Sequence, residues 1–277
     1  MAQQIPGGKA PADPPVHTLF QVSTAGALVA GLVGGAVSTA VILQHGDFGL
    51  GTFAALEGEM IVIDGHVYRA RGDGEVLEAD LDALAPFAVV TRFAPDIDMT
   101  ISAAPTLRRL YELCDVARVS SNLFFAVRLD GRFDSVLTRA MAPPQASKRF
   151  VDTAIMQHTS TFNDVDGTLI GIWSPGISRA LSEPSYHFYF LSQDRTKGGP
   201  LLECASRELR LRLGKLTDFH LALPSNGMLS TAGGKGQAND QTGGQTNNQA
   251  NGQTNAHANN HANNQANDEF TYTARSH

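Results

Sequence analysis

The sequence is poor in cysteine, in tryptophan and in charge. Its 277 residues include two cysteines and one tryptophan, and Asp, Glu, Lys and Arg together make up 17%. Two thiols are too few for a disulfide scaffold, so we predict that Cys114 and Cys204 are reduced, although a disulfide between them is possible on paper. The net charge of -6 lacks the basic excess that nucleic-acid binding requires, and we expect no nucleic-acid partner.

Long apolar runs are also scarce. Residues 25–43 carry no charge and contain the GxxxG pair Gly31 and Gly35, so a membrane-spanning helix is one interpretation. Against it, the segment is rich in Ala and Gly, and Ser23 and Ser38 are suitable N-caps for two shorter helices. We predict two short helices packed on a sheet and no membrane association. The first residues also lack the basic segment and apolar core of a signal peptide.

Composition divides the chain into four regions. Residues 1–16 are rich in Pro, Gly, Gln and Ala, and residues 225–277 are rich in Asn, Gln, Gly and Thr, so both are predicted to be disordered. Between them we predict a sheet-rich half with two short helices over residues 17–145. A second sheet-rich half, over residues 146–224, follows it.

Turn and periodicity signals locate individual elements within these halves. Asp64-Gly65 predicts a hairpin, and Asp130-Gly131 predicts another between the flanking apolar runs. Residues 105–116 place leucines on one face and predict a helix. Residues 205–214 are compatible with either a short amphipathic helix or a strand.

Residues 186–204 form the most informative stretch. They predict two strands joined by a polar loop that ends in Gly198-Gly199. Positions 187 and 189 share one face because side chains alternate along a strand, and position 200 opens the returning strand. A hairpin of this shape can direct three ligands at one metal ion and leave other coordination positions open to a substrate.

This stretch closely resembles the metal hairpin of the acetolactate decarboxylases, which carries His-x-His on its first strand and Gly-Gly-His at the start of its second. His187 matches the first histidine, whereas Tyr189 and Pro200 occupy the second and third positions. Residues 45–53 (His-Gly-Asp-Phe-Gly-Leu-Gly-Thr-Phe) resemble a second motif of the same family. The resemblance covers most of residues 18–224 and implies an α/β (α+β) fold, with two sheet-rich halves and the site between them.

The resemblance also implies a function. It indicates a zinc-dependent carboxy-lyase that converts 2-acetolactate to acetoin and CO2 in acetoin and butanediol synthesis, as a cytoplasmic homodimer. His187 would be a zinc ligand, and Thr52, Glu59 and Arg139 match family positions around the metal. Arg139 would hold the departing carboxylate, Glu59 would donate a proton, and Thr52 would orient a substrate oxygen or the Glu59 carboxylate. A further family glutamate has no counterpart that aligns, since Glu269 lies in the tail.

Each of these residues also has a purely structural interpretation. Threonine is common in strands, a glutamate beside a hairpin turn is usually a solvated charge, and an arginine at a strand end is more often part of a surface ion pair. A histidine on a strand flanked by aromatic residues, such as His187, is more often a packed and hydrogen-bonded core residue than a metal ligand. Tyrosine is an unusual zinc ligand because its phenol pKa is near 10, and proline offers no side-chain ligand. Two hypotheses therefore remain, namely a decarboxylase with altered metal ligation and a metal-free relative that retains only small-acid binding.

Overall fold

The computed structural model describes residues 16–29, 31–141, 157–176 and 185–223. They form a mostly β fold with a few short helices and two main sheets, which confirms the predicted fold class. The strands are Thr18–Val22 (β1), Val37–Ser38 (β2), Phe48–Thr52 (β3), Glu59–Ile63 (β4), His66–Ala70 (β5), Val76–Glu78 (β6), Leu84–Ala85 (β7), Phe87–Thr91 (β8), Ile97–Ile101 (β9), Phe124–Met141 (β10), Gln157–Ser174 (β11), Ser185–Ser192 (β12), Gly198–Leu216 (β13) and Asp218–Ala222 (β14).

The first sheet has the strand order β14-β1-β8-β3-β4-β5-β6. Strand β14 runs parallel to β1, and the other neighbours are antiparallel. Every residue of the central strands β3 and β4 is buried, so both faces of the sheet are covered there. That position explains the continuous apolar run of β4, in which Glu59 is the exception.

The second sheet has the order β10-β11-β12-β13-β9, and β10 also pairs with β13. The four long strands β10 to β13 therefore close on one another around a core of aromatic and aliphatic side chains. Phe133 and Phe190 meet edge to face within it, with ring centroids 5.5 Å apart. Helix α3 (Leu107–Ala117) adds Leu107, Leu110 and Cys114 to the same core.

The predicted hairpin at Asp130-Gly131 is wrong, because residues 124–141 form the single strand β10. Gly131 lies at an irregularity in the pairing with β13, and its φ of +154° suits glycine. A strand that bends between two partners needs such a bulge, which uses the same residue types as a turn. Residues 205–214 belong to β13, so the strand interpretation of that segment is confirmed.

The two short helices of the N-terminal region are α1 (Ala25–Val29) and α2 (Thr39–His45). Ser38 precedes α2, although its side chain makes no capping bond, and Thr24 rather than Ser23 accepts a hydrogen bond from the first turn of α1. None of the helices in the described part of the chain is both long and apolar enough to cross a membrane. Cys114 and Cys204 are free thiols, both buried.

Both sheets take strands from both predicted halves of the chain. Strands β9 and β10 precede residue 145 but belong to the second sheet, while β14 follows residue 146 and belongs to the first. The division near residue 145 stays a prediction. Residues 1–15 and 224–277, which include Glu269 and almost all of the predicted disordered segments, lie outside the described residues.

Candidate functional site

The hairpin formed by β12 and β13 has the predicted geometry. Tyr189 stands directly opposite Pro200 across the strand pair, and His187 lies two residues earlier on the same strand. Residues that face each other across antiparallel strands project from the same side, so all three positions share one face. Gly199 has a φ of +144°, and an added Cβ would lie 3.1 Å from the carbonyl oxygen of Arg139. The turn therefore packs on the backbone of Arg139.

Glu59 approaches this hairpin from the first sheet. It opens β4 opposite Thr52 of β3 and is buried, with 9% of its surface exposed. The Tyr189 hydroxyl donates a hydrogen bond to Oε2 of Glu59 at 2.9 Å, so this bond joins the two sheets. The hydroxyl of Thr52 donates instead to the carbonyl of Gly58 at 3.2 Å and so holds the turn between β3 and β4.

Arg139, near the end of β10, completes the cluster. Its side chain is half-buried, and within the described residues it forms no hydrogen bond or ion pair. Its positive charge nevertheless acts on Glu59, His187 and Tyr189. Arginines elsewhere on the second sheet are each paired with an aspartate, namely Arg128, Arg132, Arg207, Arg210 and Arg212. Arg139 is therefore not the surface ion pair of the structural interpretation.

His187 lies at the accessible side of the cluster. The residue is exposed, and Nε2 lies 3.0 Å from Oγ of Ser185. Surrounding protein lowers the pKa of His187, and the positive charge of Arg139 lowers it further. Because His187 is exposed, solvent weakens the effect of burial, and both burial and the charge of Arg139 favour the neutral imidazole. Neutral imidazole has one nitrogen that donates and one that accepts, so it can bind a ligand oxygen or hydroxyl.

The pKa values of Glu59 and Tyr189 are both raised. Burial raises the pKa of Glu59, while the hydrogen bond from Tyr189 and the charge of Arg139 act in the opposite direction. Burial and the nearby Glu59 carboxylate raise the pKa of Tyr189 well above 10. A carboxyl group with a raised pKa retains its proton at higher pH, which suits a proton donor.

This environment predicts a pH-dependent stability effect for Glu59→Gln. Because folding raises the pKa of Glu59, its contribution to stability is present below the ordinary pKa and is lost as the pH rises through the raised value. The variant is therefore expected to match wild type in acid and to be more stable in alkaline solution, as measured by urea unfolding between about pH 4 and pH 9. Glu57→Gln, at an exposed carboxylate of the same turn, is the matched control. Parallel pH profiles for wild type and Glu59→Gln would contradict the prediction.

The donors at the three hairpin positions do not fit a three-histidine zinc site. His187 supplies one imidazole, the Tyr189 hydroxyl is engaged as a donor to Glu59, and Pro200 has no ligand atom in its side chain. Zinc sites in proteins use three or four nitrogen, sulfur or carboxylate ligands. Within the described ranges, no group of three or more His, Cys, Asp or Glu side chains is arranged to hold a metal ion.

The chain is similar in sequence to a set of known proteins. A sequence profile described as "Alpha-acetolactate decarboxylase" matches residues 19–232. The alpha-acetolactate decarboxylase of Methanosarcina mazei is 34% identical over 212 residues, which cover 76% of this chain and 73% of the relative. That of Bacillus licheniformis is 32% identical over 216 residues, covering 78% of this chain and 85% of the relative.

Solved structures give a similar result. The crystal structure of alpha-acetolactate decarboxylase from Bacillus subtilis strain 168 superposes with a TM-score of 0.71 at 31% identity, covering 75% of this chain and 89% of the other. A Staphylococcus aureus protein described as of unknown function and similar to alpha-acetolactate decarboxylase gives a TM-score of 0.73 at 26% identity, covering 77% and 93% of the respective chains.

Proposed function

The chain belongs to the alpha-acetolactate decarboxylase family, and on that premise we propose that its site binds a small 2-hydroxy-3-keto acid of the 2-acetolactate class without zinc. The guanidinium of half-buried Arg139, which has no carboxylate partner among the described residues, carries this proposal. A guanidinium without a counter-ion can bind a carboxylate by donating two parallel hydrogen bonds to it. His187, on the accessible side, can contact the hydroxyl or ketone of the same ligand.

The second candidate function is the family reaction, decarboxylation of 2-acetolactate to acetoin and CO2. Loss of CO2 leaves an electron pair that is delocalised onto the ketone oxygen, and a proton must then be delivered to the product. The raised pKa of the buried Glu59 carboxyl, with Tyr189 bonded to Oε2, favours this candidate because such a group can supply that proton. Zinc in this family acts as the Lewis acid, and the hairpin donors described above do not fit it.

Acid binding and turnover are tested on the same purified sample. We expect saturable binding of 2-hydroxy-2-methylbutanoate, which has the carboxylate, hydroxyl and methyl group of acetolactate but lacks the ketone. The matched control ligand is 2-methylbutan-2-ol, in which a methyl group replaces the carboxylate and which should not bind. Acetoin formation from racemic acetolactate and zinc content are measured alongside, against the spontaneous reaction.

Four results are distinguishable. Binding of the acid with little zinc and no acetoin supports the metal-free acid-binding function. Acetoin formed faster than in buffer, again with little zinc, supports decarboxylation by the residues of the site. Turnover with near-stoichiometric zinc would overturn the metal-free proposal, and failure to bind the acid would overturn the proposed ligand class. The homodimer and the cytoplasmic location implied by the family resemblance stay predictions.

A further inference from the structure

The Tyr189 hydroxyl explains how a buried carboxylate and an unpaired guanidinium coexist in one cluster. We propose that Tyr189 is a positioning residue that holds Glu59 away from Arg139 and so keeps the guanidinium available to the carboxylate of the ligand. This inference rests on the proposed acid-binding function.

The charges alone would favour a different arrangement. Glu59 is 9% exposed, and Arg139 is half-buried and close enough for its charge to act on Glu59. A buried carboxylate is normally paired, and an arginine within reach is its usual partner. In this structure no ion pair joins Glu59 to Arg139 among the described residues; the carboxylate instead accepts the hydrogen bond from Tyr189 at 2.9 Å.

The backbone holds both partners of this hydrogen bond in place. Tyr189 is paired with Ile170 on one side and with Pro200 on the other, so its strand is held from both edges. Glu59 is likewise held between Thr52 and Ala70 on neighbouring strands of the first sheet. Buried Pro200 directly faces Tyr189 and offers no side-chain group to compete for the phenol. The phenol is therefore directed at Glu59 by the two sheets themselves.

The competition between Glu59 and the ligand for Arg139 gives a direct test. In Tyr189→Phe the aromatic ring remains but the donor is lost, so the ionised form of Glu59 loses the hydrogen bond from the phenol and becomes free to pair with Arg139. The Kd for 2-hydroxy-2-methylbutanoate is expected to rise about tenfold or more, because Glu59 then takes a hydrogen bond that the charged Arg139 would donate to the ligand. A factor of about ten is the usual effect of losing one hydrogen bond to a charged group. Tyr186→Phe is the matched control, because that hydroxyl on the same strand donates to Asp115 outside the cluster.

A second substitution separates positioning from direct contact with the ligand. In Tyr189→Phe combined with Glu59→Gln, the neutral amide does not compete for Arg139, and affinity is expected to return towards that of wild type. A phenol that binds the ligand itself, or one that only supports the fold, would not be rescued in this way. Circular dichroism and thermal unfolding of each variant establish that it is folded.

Each outcome bears on one conclusion. Weak binding by Tyr189→Phe that Glu59→Gln rescues supports the inference. Equal binding by wild type and Tyr189→Phe, or weak binding without rescue, overturns it and leaves the acid-binding function standing. If wild type itself binds no acid, the proposed function fails, and this inference fails with it.

Discussion

Arg139→Ala is expected to weaken the binding of 2-hydroxy-2-methylbutanoate by about ten- to a hundredfold. Hydrogen bonds to charged groups contribute roughly 1.5–3 kcal/mol each, and about 1.4 kcal/mol corresponds to a factor of ten in Kd. The loss is expected to be large because no other unpaired arginine of the cluster is present among the described residues to take over the carboxylate. Isothermal titration calorimetry or ligand-observed NMR measures the change.

Two control variants test whether the loss of affinity comes from the guanidinium of Arg139. Arg139→Lys keeps the charge but loses the planar fork, so its Kd should lie between those of wild type and Arg139→Ala. Arg207→Ala removes an arginine of the same sheet that is paired with Asp134, and it should bind normally. Unchanged affinity in a folded Arg139→Ala variant would show that the carboxylate is held elsewhere.

Tyr189→His combined with Pro200→His is expected to create a zinc site of about one ion per chain. Positions 189 and 200 face each other, and His187 projects from the same face. Three imidazoles there can each place a nitrogen about 2.0–2.1 Å from one zinc ion, which is the usual Zn–N distance. Zinc affinity is expected to rise about a hundredfold or more, because full ligand sets give apparent binding free energies of roughly 10–16 kcal/mol. Metal analysis after dialysis and the zinc-dependent increase in Tm are the readouts.

The matched variant for this experiment carries Tyr189→Phe and Pro200→Ala, which change the same positions without adding a donor. Adding His187→Ala to the two histidine substitutions should remove most of the gained affinity, because it deletes the histidine already present. A folded double-histidine variant that binds no more zinc than wild type would mean that the three positions do not converge on one point. Acetoin formation by the zinc-loaded variant would further show that Glu59 and Arg139 remain competent.

The sequence was sufficient to predict the hairpin of β12 and β13 because strand alternation and a glycine turn are local properties. The positions of residues 187, 189 and 200 on one face follow from the period of a strand and from the Gly198-Gly199 turn. The same local reasoning failed at Asp130-Gly131, since a bulge and a turn use the same residues. Only the pairing of β10 with two different strands distinguishes the two, and that pairing is a long-range property.

The hydrogen bond between Tyr189 and Glu59 could not be predicted for a related reason. The two residues are separated by 130 positions and lie on different sheets. Family resemblance identified Tyr189 as a departure from a ligand pattern but gave no new role for its hydroxyl. Thr52 lies beside Glu59, as the family resemblance implies. Its hydroxyl, however, donates a hydrogen bond to the carbonyl of Gly58 and not to Glu59. Side-chain partners depend on packing that a motif does not encode.

The parallel pairing of β1 with β14 has a consequence for folding during synthesis. Thr18 pairs with Asp218, two hundred residues later in the chain. At translation rates of about 5–20 residues per second, roughly 10–40 s separate the emergence of these strands from the ribosome. Throughout that interval one edge of β1 has no neighbour from its own sheet and can pair with a strand of another nascent chain. The first sheet is thus completed only after β14 has been made, when the second sheet already has all of its strands.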